Sequence, residues 1–273
     1  MIQQVARDFT MNEVLPVANE LDPQQGEIPM SLRDKMAEMR YFGIIVPEEY
    51  GGIGLGCFEY CLITEELARG WMSVASIIAR GNGVFGADTM SEEQRRKYLP
   101  RSASGEFLAA AALSEPDTGS DLSSISCRAR REGDEYVING NKYWCTFADG
   151  ADYIMLFART GEPPGQTRRH IGISGFIIEK ERGKLPPGVS GAPIPKIGYF
   201  GWKTWELSFD NCRVPANCLV GEEGKAFYIM ASGLEVARAH TAARAIGVAR
   251  GALEDAVAYA LERKQFGRPI SEF

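Results

Sequence analysis

The stretch Glu106-Phe107-Leu108-Ala109-Ala110-Ala111-Ala112-Leu113-Ser114-Glu115-Pro116-Asp117-Thr118-Gly119-Ser120-Asp121 divides the chain into two regimes. Its first half is a short apolar run of strand length, and its second half is a turn rich in hydroxyls, Pro and Gly. Before it the sequence reads as helices. Ile2, Val5, Phe9 and Val14 recur at helical spacing until Pro16 interrupts the run. Pro29-Met30-Ser31-Leu32 leads into a second helix over 33–40, with Leu32, Met36 and Met39 on one face and Gly43 as its stop. Phe58, Leu62, Glu65 and Leu67 mark a third helix, and residues 72–80 a fourth. Ser91-Glu92-Glu93-Gln94 has the form of a capping box, opening a helix that ends near Leu99-Pro100.

After the divide, short strands take over. Residues 125–131 and 135–139 flank Glu132-Gly133-Asp134, a hairpin signal, and Asn139-Gly140 predicts a second turn before a strand over 142–146. Residues 153–159, 175–179 and 206–209 read as further strands, with Pro and Gly clustered between them. This pattern predicts an antiparallel β-barrel or sandwich. A third regime runs from Lys225 to Gln265 without proline, and Ile246, Ala249, Leu253, Ala256, Val257 and Ala260 repeat at spacings of three and four. It predicts a helix of roughly 60 Å, ended by Gly267 and Pro269. The fold class is therefore α+β: an N-terminal helical domain over 1–105, a middle β domain over 106–222, and over 223–273 the first long helix of an incomplete C-terminal helical bundle.

Composition narrows the function. The chain has 273 residues, 45% of them hydrophobic, enough for a sizeable core. The net charge is −6 and no basic block occurs, which argues against a nucleic-acid partner. Of the six cysteines none stands in a CxxC pair, and His170 and His240 are the only histidines, so a zinc site is not expected. Scattered thiols suit a reducing compartment, and no apolar run has the length of a bilayer span. A soluble cytoplasmic protein without membrane partners is the expectation.

Ser114-Glu115-Pro116 with Gly119-Ser120-Asp121 resembles the signature of the acyl-CoA dehydrogenase family. Read alone, it is equally a turn whose Asp and Ser bond their own backbone. Asn139-Gly140-Asn141-Lys142-Tyr143-Trp144-Cys145-Thr146 resembles the family's second flavin strand, or an ordinary strand with a cross-strand Trp. Phe209-Asp210-Asn211-Cys212-Arg213-Val214-Pro215 with Leu219-Val220-Gly221 resembles the family's exit from its β domain. Gly43, Pro47, Tyr50, Gly51 and Gly52 resemble its helical-domain loop, and Glu262-Arg263-Lys264-Gln265-Phe266-Gly267 a motif of its long helix. Five segments in order span essentially the whole chain.

The resemblance implies FAD as cofactor. It places Leu113 and Ser114 along the pyrimidine side of the flavin, Gly119 and Ser120 where the pyrophosphate and the CoA arm approach, and Trp144 and Thr146 against the ring. Arg238 falls where members carry an Arg that organises the CoA end; an interhelical ion pair is the other reading. Arg263 and Phe266 would reach the FAD of a neighbouring subunit, implying a homo-oligomer, a dimer of dimers. The implied activity is FAD-dependent α,β-dehydrogenation of an acyl-CoA thioester, with electrons passed to an electron-transfer flavoprotein.

That reaction needs a carboxylate base. Most members carry it at a position beyond Phe273, and a minority at the position held here by Ala237. Glu235, two residues earlier, lies about 200° round a helix and is not assigned. The base is expected beyond Phe273, the chain being read as C-terminally truncated; the alternative is a non-catalytic FAD- and CoA-binding subunit of a heteromeric dehydrogenase. Residues 65–74, Arg80 and residues 242–249 further resemble a methylsuccinyl-CoA dehydrogenase-like branch. That likeness implies Arg80 or Arg244 as the cation for a second carboxylate, with a structural role for both as the other reading.

Overall fold

A computed structural model of the chain describes residues 1–84 and 86–273. Eight α-helices are described: α1 (Ile2–Phe9), α2 (Leu15–Leu21), α3 (Met30–Glu38), α4 (Cys57–Gly70), α5 (Met72–Ile77), α6 (Ala79–Asn82), α7 (Glu92–Ala103) and α8 (Ala226–Glu262). Pro16 does not break the first run as expected. A π-helical segment, Thr10–Val14, joins α1 to α2 and absorbs the register change that a proline without an N–H demands. The capping box forms as its residues predict: Gln94 N–H donates to Ser91 Oγ at 3.1 Å and Ser91 N–H to Gln94 Oε1 at 3.2 Å. Its helix, however, runs through Pro100 to Ala103.

The strands are β1 (Ala109–Ala112), β2 (Arg128–Glu132), β3 (Glu135–Thr146), β4 (Tyr153–Arg159), β5 (Ile173–Glu179), β6 (Val189–Pro193), β7 (Thr204–Pro215) and β8 (Leu219–Val220). They form one sheet in the order β6-β7-β3-β2-β4-β5-β8, with β1 parallel to β4. The α+β class is as expected, but the sheet is open. It does not close into a barrel, because β6 and β8 remain as separate edges. The expected Asn139-Gly140 turn is also absent. Gly140 lies inside a continuous β3, where a Cβ would stand 2.7 Å from the Cα of Cys127. The glycine serves close backbone approach rather than a turn.

Two irregularities in the β3–β7 ladder shape the middle of the molecule. Between Lys142 and Cys145, β3 carries one residue more than β7. This bulge holds Trp144 at φ 61° and turns its ring outward, 56% exposed. A left-handed Trp costs about 1–2 kcal/mol, so surrounding structure must enforce it.

The main core is continuous from the helices into the sheet, joining Phe42, Tyr60 and Leu67 to Tyr136, Ile154 and Phe176. The long helix α8, about 55 Å at 1.5 Å per residue, ends at Glu262 rather than at Gly267. Lys264–Gln265 and Arg268–Pro269 instead pair as a small hairpin, β9 and β10, turning on Phe266 (φ 50°) and Gly267 (φ 80°). α8 crosses α4 where Gly247 meets the carbonyl of Glu65. Arg250 bridges the two helices, to Glu65 at 2.6 Å and to Glu66 at 2.5 Å. No helix among the described residues is long and apolar enough to cross a membrane, and no His, Cys, Asp and Glu cluster there could hold a metal ion.

Candidate active site

The loop after β1 is tied to β3 by a buried ion pair. Lys142 Nζ donates to Glu115 Oε1 and to the carbonyl of Leu113, both at 2.9 Å. Glu115 also accepts from the N–H groups of Ser126 and Cys127, at 2.7 and 2.9 Å. Burial pushes the Glu115 carboxyl up, but Lys142 and these donors outweigh it and hold it below the usual range. Tyr143 N–H donates to the Ser114 carbonyl at 2.8 Å. Leu113 and Ser114 are thus fixed beside the bulge that carries Trp144, whose ring meets Tyr143 edge-on at 4.9 Å.

The following loop is held from below by Arg159. Its enclosed guanidinium donates to the carbonyls of Ile125 (3.2 Å), Ile171 (3.0 Å), Ser123 (2.9 Å) and Arg169 (3.1 Å). Gly119 and Ser120 lie exposed just upstream, and a Cβ on Gly119 would meet nothing within 4 Å.

A cavity of about 1850 Å³ opens between the sheet, α4, α5–α6 and α8. Thr146, Arg80 and Arg244 line it. Leu113, Ser114, Gly119, Ser120 and Trp144 stand outside its lining, on the β1–β2 loop and the β3 bulge. Arg238 is exposed on α8 and does not line it, and Arg263 and Phe266 are exposed near the far end of that helix. α8 presents Val236, Ala237, His240, Thr241 and Arg244 to the cavity, while Glu235 is exposed elsewhere on the helix.

Two further residues, His240 and Tyr199, line the cavity without having been expected from the sequence. His240 stacks on Tyr60 (4.8 Å, 12°) and its Nε2–H donates to the Ala75 carbonyl at 3.0 Å. Burial, with Arg244 and Arg80 nearby, pushes its pKa down to about 3, so the ring is neutral at physiological pH. Tyr199, at φ 60°, accepts from Arg244 Nη1 at 2.8 Å and shares a short hydrogen bond with Ser76 Oγ. A Gly-rich aromatic loop, Ile197-Gly198-Tyr199-Phe200-Gly201-Trp202, was the one available hint of Tyr199.

The residues around the bulge fit a flat heterocycle with a polar edge. An outward-facing indole offers an apolar plane, and hydroxyls at Ser114 and Thr146 with exposed backbone at Gly119 offer hydrogen bonds.

Residues 1–106 match the acyl-CoA dehydrogenase N-terminal domain, residues 110–212 the middle domain and residues 224–273 the C-terminal domain. The chain is 41% identical to (2S)-methylsuccinyl-CoA dehydrogenase of Cereibacter sphaeroides, aligning over 100% of its own length and 51% of the relative's. It is 41% identical to an acyl-CoA dehydrogenase of Bacillus subtilis, over 99% of this chain and 70% of that one. It thus spans about half the length of the first relative. Among solved structures, a glutaryl-CoA dehydrogenase in complex with glutaryl-CoA superposes with a TM-score of 0.91 at 33% identity, covering 100% of this chain and 69% of that one. A glutaryl-CoA dehydrogenase of Mycobacterium smegmatis in complex with FADH2 gives 0.88 at 28% identity, covering 100% and 67%. In sequence along its whole length and in fold, the chain belongs to the acyl-CoA dehydrogenases, a family of oxidoreductases.

Proposed function

We propose that the protein carries out FAD-dependent α,β-dehydrogenation of an acyl-CoA thioester and passes the electrons to an electron-transfer flavoprotein. The observation that carries this reading is the bulge between Lys142 and Cys145. It turns Trp144 outward while Thr146, two residues on, faces the large cavity, so one short strand segment addresses both a cofactor surface and an acyl-chain space.

In this reading Leu113, Ser114, Gly119, Ser120, Trp144 and Thr146 hold the FAD, and Arg263 and Phe266 reach that of a neighbouring subunit in a cytoplasmic dimer of dimers. Bound FAD supplies the hydride acceptor. The protein supplies position: Lys142 holds the Leu113 carbonyl, the Tyr143 N–H holds that of Ser114, and Arg159 locks the loop beyond Gly119 and Ser120. The domain divisions at 105/106 and 222/223 belong to the same reading. We assign the α-proton base to no residue of 1–273, since α8 presents Ala237 and not Glu235 to the cavity. The same observation favours a second reading, a non-catalytic FAD- and CoA-binding subunit.

The test is anaerobic mixing of the FAD-loaded protein with acyl-CoA thioesters. Bleaching of the oxidised flavin spectrum supports dehydrogenation. A flavin that binds but never bleaches with any thioester supports the non-catalytic subunit, and failure to bind FAD at all removes both.

A further inference from the structure

α4 opens on two cysteines one helical turn apart. Cys57 is its first residue and is exposed; Cys61 follows four positions later and is half-buried. Residues at this spacing are neighbours on one helix face, so the two thiols lie side by side. Tyr60 belongs to the same turn and is buried. Its ring stacks on His240 at 4.8 Å, and both residues line the cavity. One turn of helix thus carries an accessible pair of thiols and part of the cavity wall.

The other four cysteines are placed for packing. Cys127, Cys145, Cys212 and Cys218 are buried, and burial pushes each thiol up, away from the reactive thiolate. Cys57 is the one exposed cysteine among the described residues, so it is the thiol that an oxidant in solution meets first. Burial, and then the adjacent Cys57, push Cys61 up to about 11, which suits it to the second step rather than the first.

In an intact helix the pair cannot join. Cβ atoms at this spacing stand about 5–6 Å apart, and a disulfide needs about 3.5–4.5 Å. The first turn must give, and it is lightly held. Its N-cap is Gly56, which has no side chain to bond the open N–H groups; the capping contact present is Gly56 N–H to the Glu59 carboxylate at 3.1 Å. Gly54, at φ 71°, gives the preceding chain a conformation that favours glycine. The first bond at stake is Tyr60 N–H to the Gly56 carbonyl, at 3.1 Å.

We propose that Cys57 and Cys61 form a site of reversible thiol oxidation, closing to a disulfide within α4 that unwinds the turn holding Tyr60 against His240. The oxidant is a low-molecular-weight disulfide such as oxidised glutathione. Cys57 Sγ, as the thiolate, attacks one of its sulfurs, and the mixed disulfide forms as one glutathione leaves and takes up the proton that Cys57 lost. Cys61 Sγ then gives up its proton and attacks Cys57 Sγ, and the second glutathione leaves as a thiol. The protein loses two electrons and two protons, and the glutathione disulfide becomes two thiols. Strain in the closed form makes it readily reducible, so excess thiol restores the helix. The site stands apart from the acyl-CoA reading, since it needs the cavity wall and not the ligand.

Oxidised glutathione added to the full chain, followed by peptide mass and amide hydrogen exchange, tests the site. The expected product is two hydrogens lighter within one peptide spanning 57–61, with the four buried cysteines still open to alkylation after unfolding. Dithiothreitol should reverse it. In the oxidised form the amides of Tyr60 and Cys61 should exchange at least about tenfold faster, while those of residues 66–69, further down the helix, stay unchanged. Cys61→Ser should stop at a glutathione adduct on Cys57, with exchange at Tyr60 as in the native protein. A lasting glutathione adduct on Cys57 of the native protein, with Cys61 still a thiol, would overturn the pair. No reaction, or disulfides that enlist the buried cysteines instead, would do the same. A 57–61 disulfide with unchanged exchange at Tyr60 would overturn the unwinding and with it the link to the cavity.

Discussion

Lys142 Nζ stands 2.9 Å from Glu115 Oε1 in a pair that is almost wholly enclosed, with side-chain exposures of 0% and 4%. Desolvation of two such charges costs about as much as their attraction returns, so the pair is weak evidence of net stability. Its effect is positional. One ammonium holds both the carboxylate that caps the Ser126 and Cys127 N–H groups and the carbonyl of Leu113. The β1–β2 loop and the bulged strand β3 therefore move as one body.

Removing one partner leaves the other charged and buried. Lys142→Met should destabilise the protein by about 3–5 kcal/mol, the usual cost of breaking a buried pair. Urea unfolding measures it. FAD affinity should fall as well, because Leu113 and Ser114 lose their anchor. A variant with native stability would show that the pair does not organise the loop.

His240 makes stability pH-dependent. Its folded pKa of about 3 lies below the ordinary value of 6.5, so between these values the unfolded chain binds more protons. Stability is fully present above pH 6.5 and is lost on acidification, by about 1.4 kcal/mol per pH unit once well below 6.5. Glu66 and Glu115, also held low, add their own losses only below about 4.5, their ordinary value. Thermal unfolding of native protein and of His240→Gln at pH 7.5 and 5.5 separates the groups. The native midpoint should drop over this range, and the variant's should drop less. Parallel profiles would remove His240 as the source.

The approach of α8 to α4 is set by a missing side chain. A Cβ on Gly247 would lie 2.2 Å from the Glu65 carbonyl oxygen and 2.8 Å from Ala68 Cβ. Gly247→Ala gains helix propensity yet should cost about 1–3 kcal/mol by overpacking. Since Arg244 is one turn away on the same helix, thioester binding should weaken too. A stabilised Gly247→Ala variant would contradict a close α4–α8 crossing at Gly247.

Arg159 joins the 123–125 and 169–171 segments through four carbonyls. Arg159→Met should leave those acceptors unsatisfied, at about 1–3 kcal/mol for each one that water cannot reach. Hydrogen exchange should rise in residues 118–126 and 168–172 before the rest of the sheet. Uniform exchange across the sheet would place the clamp elsewhere.

What the sequence made legible follows burial and local chemistry. The ends of β4 are legible because all seven residues over 153–159 are buried and bounded by turns. The β2–β3 hairpin is legible in Gly133, which adopts φ 64°. The errors share a cause, the overriding of a local signal by tertiary structure. Pro16 was accommodated by the preceding π segment, Gly140 is required by Cys127 and not by a turn, and Pro100 falls within a helix held by Tyr98 and Leu99 in the core. Strand order cannot be read from local spacing, so nothing local in the sequence distinguishes this open sheet from a closed barrel. The site was legible only in part. Arg80 and Arg244 stand out in the sequence, but their convergence depends on α8 packing against helices far from it in the chain, which local spacing does not encode, and Tyr199 enters from a loop with no periodic signal.

The central claim is that the Trp144–Thr146 segment and the cavity beside it serve removal of two hydrogens from an acyl-CoA thioester. The most direct measurement is the mass of the thioester recovered after a single anaerobic turnover with FAD-loaded protein. The account predicts a product two hydrogens lighter, in an amount equal to the flavin reduced. A thioester recovered unchanged, or altered without matching flavin reduction, would contradict it.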